Sequence, residues 1–109
     1  MLTPLLGSIN KQRVLIFLAA RNEGYAREMA RFFDTDLFPI QKQLENLERA
    51  GILCSKAVGR TVVFTFNPRY TFLKELQALL NKALSFYPQE QQEALLDNRR
   101  RPRRRGKPL

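Results

Sequence analysis

The chain has 109 residues, 44% of them apolar, which is enough for one domain with a core. Nineteen Lys and Arg against ten Asp and Glu give a formal charge of +9, but seven of the basic residues lie in 99–109, leaving twelve basic and ten acidic residues in 1–98. One cysteine and no histidine exclude an intramolecular disulfide, nearly exclude a zinc-type site, and rule out Cys–His and Ser–His–Asp nucleophiles. The acids are scattered and no Gly-rich phosphate loop is present, so no enzyme and no cofactor is expected. No apolar run approaches the roughly eighteen residues needed to span a bilayer. Met1–Gly7 lacks the basic start of a secretory signal, so the expected location is cytoplasmic.

In chain order, the first predicted helix runs from Ser8 or Asn10 to Ala20, with either residue suited to the N-cap. Val14, Leu15 and Leu18 form an inward stripe, while Ile16 and Phe17 are a surplus that predicts a second covered face. Asn22-Glu23-Gly24 reads as a turn. A second helix spans 26–33, with Ala26, Met29, Ala30 and Phe33 on one face at helical spacing. Asp34-Thr35-Asp36 is a tight turn, and Asp36 is predicted to cap the third helix, 37–50. Pro39 falls in that helix's first turn, where a missing N–H costs nothing. Ile40, Leu44 and Leu47 point inward, and Gly51 stops the helix.

Two strands follow, 52–58 and 61–66, turning at Gly59-Arg60. A fourth helix is predicted over 70–87. Its apolar residues, including Phe72, Leu76, Leu79, Leu80 and Ala83, cover more than the roughly 100° that a single core-facing helix needs. With Ile16 and Phe17, this surplus predicts a homodimer. Pro88 interrupts the helix. Residues 88–98 are expected to add a short helical extension to the 1–87 domain, and the Arg/Pro-rich run 99–109 is expected to be a disordered tail.

Helix, turn, helix and hairpin in this order suit DNA readout, because the major groove admits one helix. Opposite the inward stripe, the third helix presents Phe38, Gln41, Lys42, Glu45 and Arg49. Gln41 can read adenine, Lys42 can reach guanine or phosphate, and Phe38 can pack on a thymine methyl. Arg60 and Lys56 on the hairpin, and Arg27 and Thr35 near helix starts, are candidate backbone contacts. Arg99, Arg100, Arg101, Arg103, Arg104 and Arg105 are expected to add salt-sensitive, sequence-independent affinity. Cys54 reads as a small buried hydrophobe rather than a redox centre. Metal ligands are not expected.

Tyr25-Ala-Arg-Glu-Met-Ala-Arg31, the run Ile40 to Leu53 ending Glu-Arg-Ala-Gly-Ile-Leu, and Gly59-Arg60 to Pro68 together resemble ArsR-type (MarR/ArsR-like) winged helix-turn-helix transcriptional regulators. The resemblance covers about residues 8–87. It implies an α+β, mainly α, winged helix-turn-helix with a two-stranded wing and a C-terminal dimerisation helix. It also implies a prokaryotic, dimeric regulator of double-stranded DNA, with Phe38, Gln41 and Lys42 in the groove and Arg60 on the wing. A winged-helix protein-interaction module and a non-specific nucleic-acid-binding protein stay open as alternatives.

Overall fold

A computed structural model describes the backbone of residues 1–100 and the side chains of residues 1–96. The elements run α1 (Thr3–Leu6), α2 (Ile9–Arg21), β1 (Glu23–Gly24), α3 (Ala26–Phe32), α4 (Leu37–Arg49), β2 (Leu53–Val58), β3 (Thr61–Phe66), α5 (Leu73–Leu84) and α6 (Gln89–Arg100).

α2 is the hub. Ser8 caps it, its Oγ accepting from the Lys11 N–H at 3.1 Å. Every residue from Val14 to Leu18 is buried. A helix apolar all round must be surrounded, and α2 packs against α1, α3, α4, α5 and α6. This corrects the expectation for Ile16 and Phe17: the chain's own helices cover both, leaving no free face there. Leu80 and Ala83 are likewise buried within the single chain. Their part in the apolar surplus is therefore spent on the core, and Phe72 and Leu79 remain exposed.

The buried amide of Gln12 fastens the N-terminal turn and the segment after α5 to this hub. Its Oε1 accepts from the Leu2 N–H at 2.8 Å and the Thr3 hydroxyl at 2.9 Å, and its Nε2 donates to the Tyr87 hydroxyl at 2.9 Å. These bonds account for α1, a helical turn that composition and periodicity in 1–7 do not announce.

α3 turns into α4 through Asp34, at φ +52°, and Thr35, whose N–H donates to the Ala30 carbonyl at 2.9 Å. Asp36 occupies the N-cap position of α4 with extended backbone, yet its side chain makes no capping hydrogen bond. The cap expected there is thus reduced to the attraction between a carboxylate and the helix dipole. Ile40, Leu44 and Leu47 are buried as the periodicity requires. α4 ends in a Schellman arrangement: the Gly51 N–H reaches the Glu48 carbonyl and the Ile52 N–H the Leu47 carbonyl, both at 2.9 Å, with Gly51 at φ +82°.

The sheet is antiparallel with order β1-β3-β2. The wing hairpin is as expected, but Glu23-Gly24 adds a third strand where a turn was predicted. Glu23 pairs with Thr65 and Gly24 with Phe64. The reason lies beneath Gly24, where a Cβ would sit 2.6 Å from the Phe17 ring; only a bare backbone can lie against that ring and still pair with β3. In the wing, Val58 opposite Thr61 leaves a two-residue loop with positive φ at Gly59 alone, the pattern of a type II′ hairpin turn. Phe64 and Phe66 reach the core, while Val62 is exposed because the hairpin extends past it.

α5 is shorter at both ends than the helix predicted over 70–87. Asn67 redirects the chain: its Oδ1 accepts from the Arg69 N–H at 3.0 Å and its Nδ2 donates to the Gly51 carbonyl at 2.8 Å. At the other end Gln92 donates to the carbonyls of Ser85 and Tyr87 and holds the bend into α6. Leu95 anchors α6 in the core. Arg101, Arg103, Arg104 and Arg105 lie outside the described residues, as do the side chains of Arg99 and Arg100.

Candidate nucleic-acid interface

α4 separates its faces cleanly. Ile40, Leu44 and Leu47 are inside, while Phe38, Gln41, Lys42, Glu45 and Arg49 are exposed. Phe38 is 69% exposed in the first turn of the helix. A single exposed ring is ordinary on a protein surface, so Phe38 counts only together with the polar residues beside it on this face. Arg49 is tied locally, donating to Asn46 Oδ1 at 3.1 Å.

A cleft of about 480 Å³ lies between the start of α3, the outer face of α4 and the wing. Arg27, Gln41 and Arg60 all line it, so three predicted contacts from three separate elements converge on one concavity. Arg27 is placed by the first turn of α3, Gln41 by the second turn of α4, and Arg60 by the tight hairpin turn after Gly59. Phe38 and Lys42 stand along α4 outside this lining. Lys56 is exposed on β2 opposite Val63, and Thr35 is half-buried in the turn before α4. Neither of these two enters the cleft.

Glu45, expected on this outer face, lines the cleft as well, and so do Tyr25 and Glu48, which the sequence pattern alone does not single out. Gln41, Glu45 and Glu48 stand at i, i+4 and i+7, so helical spacing is the signal that could have found the acidic stripe. The Ser55 hydroxyl donates to Glu48 Oε2, tying α4 to β2. Two carboxylates thus share the cleft with two guanidiniums, and its walls are close to electrically balanced. Such a surface attracts phosphate weakly by charge and relies on matched hydrogen bonds.

Among the described residues no group of three or more His, Cys, Asp or Glu is placed to hold a metal ion, and no helix is long and apolar enough to cross a membrane. Cys54 is half-buried on β2 rather than fully enclosed.

A helix-turn-helix followed by an antiparallel hairpin, with a short third strand behind it, defines a winged-helix fold. Comparison with solved structures agrees. An apo form of the Lactococcus lactis ZitR C30AH42A mutant matches with a TM-score of 0.55 over 89% of this chain and 82% of that one, at 17% identity. The adhesin competence repressor AdcR from Streptococcus pyogenes matches with a TM-score of 0.53 over 88% of this chain and 84% of that one, at 14% identity. At these identities the likeness is one of fold. No family model and no curated protein matches the chain.

Proposed function

We propose that this chain is a sequence-specific double-stranded-DNA-binding protein, a transcriptional regulator of ArsR type that acts in the cytoplasm as a homodimer. The observation that carries the reading is the convergence of Arg27, Gln41 and Arg60 around the cleft beside the exposed face of α4. An α-helix with its side chains is about 10–12 Å across and the major groove about 12 Å wide, so α4 can enter it. In that pose Gln41 meets an adenine edge, Lys42 a guanine or phosphate, and Phe38 a thymine methyl. Arg60 and Lys56 hold the flank, Arg27 and Thr35 the backbone beside α3. The arginines of 99–105 add affinity that carries no sequence information. The carboxylates of Glu45 and Glu48 weaken the sequence-independent attraction to phosphate, so affinity leans on matched hydrogen bonds to the bases. The dimer would form through the exposed Phe72 and Leu79, flanking half-buried Leu76.

A second reading is favoured by one observation: the exposed ring of Phe38 on a body of nearly neutral charge suits a protein-interaction surface. Fluorescence anisotropy with the full-length chain separates the two. Lys42→Ala with Arg60→Ala should weaken binding to a selected DNA steeply and lower the log–log salt slope by about four per dimer, roughly one for each phosphate no longer neutralised. If binding is centred on Phe38 and a protein partner, the double variant binds as the parent does and Phe38→Ala abolishes the interaction.

A further inference from the structure

Arg21, the last residue of α2, is 7% exposed although it is charged. Its guanidinium meets three elements at once. Nε donates to the Leu95 carbonyl of α6 at 2.9 Å, with a longer contact of 3.4 Å from Nη2 to the Ala94 carbonyl. Nη1 donates to Glu28 Oε2 of α3 at 3.3 Å. The plane lies 4.4 Å from the centroid of the Phe17 ring and 5.3 Å from that of Phe32 on α3. The other oxygen of Glu28 accepts from the Tyr25 N–H at the start of α3. Burial lowers the Arg21 pKa below its ordinary value, and the Glu28 carboxylate opposes the shift; the guanidinium stays protonated throughout the physiological range.

A buried cation is tolerated only while its donors are satisfied. Two of this cation's partners belong to α6, and the remaining charge and one ring belong to α3. If α6 lifts away, the guanidinium loses its carbonyl acceptors and must be rehydrated together with Glu28 or repositioned over Phe32. Either response disturbs α3. Among the described residues no other hydrogen bond or ion pair joins α6 to α3 or to a shared side chain. α3 in turn packs on α4, and α6 leads into the Arg-rich residues 101–105.

We propose that Arg21 is a positioning residue that couples the seating of α6 to the seating of α3, so that a displacement of α6 is felt at the helix that supports α4. The coupling is independent of what the α4 face binds.

Hydrogen exchange on the full-length chain tests it. Leu95→Ala loosens α6 at its core anchor, and Gln92→Ala loosens it more gently at its first turn, away from Arg21. The amides of Leu44 and Leu47 on α4 report global opening, and the gentler variant is the one read if the stronger one accelerates them. With Arg21 present, loosening α6 should speed exchange in α3 as well as in α6. In an Arg21→Met background the α3 response should shrink roughly tenfold, the worth of a hydrogen bond to a charged group. If Arg21→Met itself accelerates Leu44 and Leu47, Glu28→Gln takes its place and should also shrink the response. The proposal is overturned if α3 exchange stays at the parent rate when α6 loosens, or if it rises equally in the background without the Arg21–Glu28 pair.

Discussion

Replacing Gly24 with Ala should be the most damaging one-methyl change in the fold. The added Cβ would lie 2.6 Å from Phe17 Cε1, 3.1 Å from Phe17 Cδ1 and 3.1 Å from Met29 Cε. Both neighbours are fully buried, so neither can swing into solvent. The Phe17 ring is also held edge-to-face by Phe32 and Phe33, at centroid distances of 5.9 and 6.4 Å. The Met29 methyl can adjust; the ring edge cannot move without shifting α3 or β1. Overpacking of this kind costs about 1–3 kcal/mol, and the rigid ring places this case near the upper end. For a domain of this size that lowers the melting temperature by about 10 °C. Gly59→Ala is the control. Its Cβ would meet nothing within 4 Å, and the penalty there comes only from φ +62°, on the order of 1 kcal/mol. Urea unfolding should show Gly24→Ala with a lower midpoint at an unchanged slope. If Gly24→Ala unfolds at the same urea concentration as the parent, or no earlier than Gly59→Ala, the close approach of β1 to Phe17 is wrong.

Two capping positions should respond differently to alanine. Ser8→Ala should destabilise by about 1 kcal/mol because a hydrogen bond to the Lys11 N–H is removed. Asp36→Ala should cost less, about 0.5 kcal/mol, because only its interaction with the α4 dipole is removed; equal losses in thermal unfolding would contradict this ordering. Phe72 and Leu79 are 59% and 38% exposed. Phe72→Ser with Leu79→Ser should therefore give a monomer by sedimentation equilibrium while leaving stability within roughly 1 kcal/mol of the isolated fold. A dimer mass retained by that variant would move the interface elsewhere.

The winged-helix architecture is legible where local chemistry and periodicity agree. Ile40, Leu44 and Leu47 at helical spacing, Pro39 in the first turn and Gly51 at the end define α4 from sequence alone. Gly59-Arg60, followed by the β-branched and aromatic run Thr61 to Phe66, does the same for the wing. What escapes the sequence depends on distant partners. Glu23-Gly24 has no strand character of its own; it becomes β1 because β3 offers an edge and Phe17 a floor. α1 is held by Gln12, which gives no sign in sequence of being buried. The apolar surplus of α2 is visible in its sequence, but its cover is not a second copy: α4 and α5 supply most of it, and α1 and α6, whose own patterns are weak, add to it. Around α4 the residues Arg27, Gln41 and Arg60 stand out individually. Their convergence on one cleft, and the presence there of Glu48, require the hairpin to be folded back beside the helix.

Whether the α4 face and the wing read DNA sequence is decided by selecting bound sequences from a random double-stranded library with the full-length chain. One enriched motif with two-fold symmetry is predicted, its half-sites about one helical turn (roughly 10 base pairs) apart, with enrichment relaxed at one position per half-site in Gln41→Ala. Retention of DNA without any enriched motif, or a motif indifferent to Gln41 and Arg60 alike, would contradict sequence readout by this face.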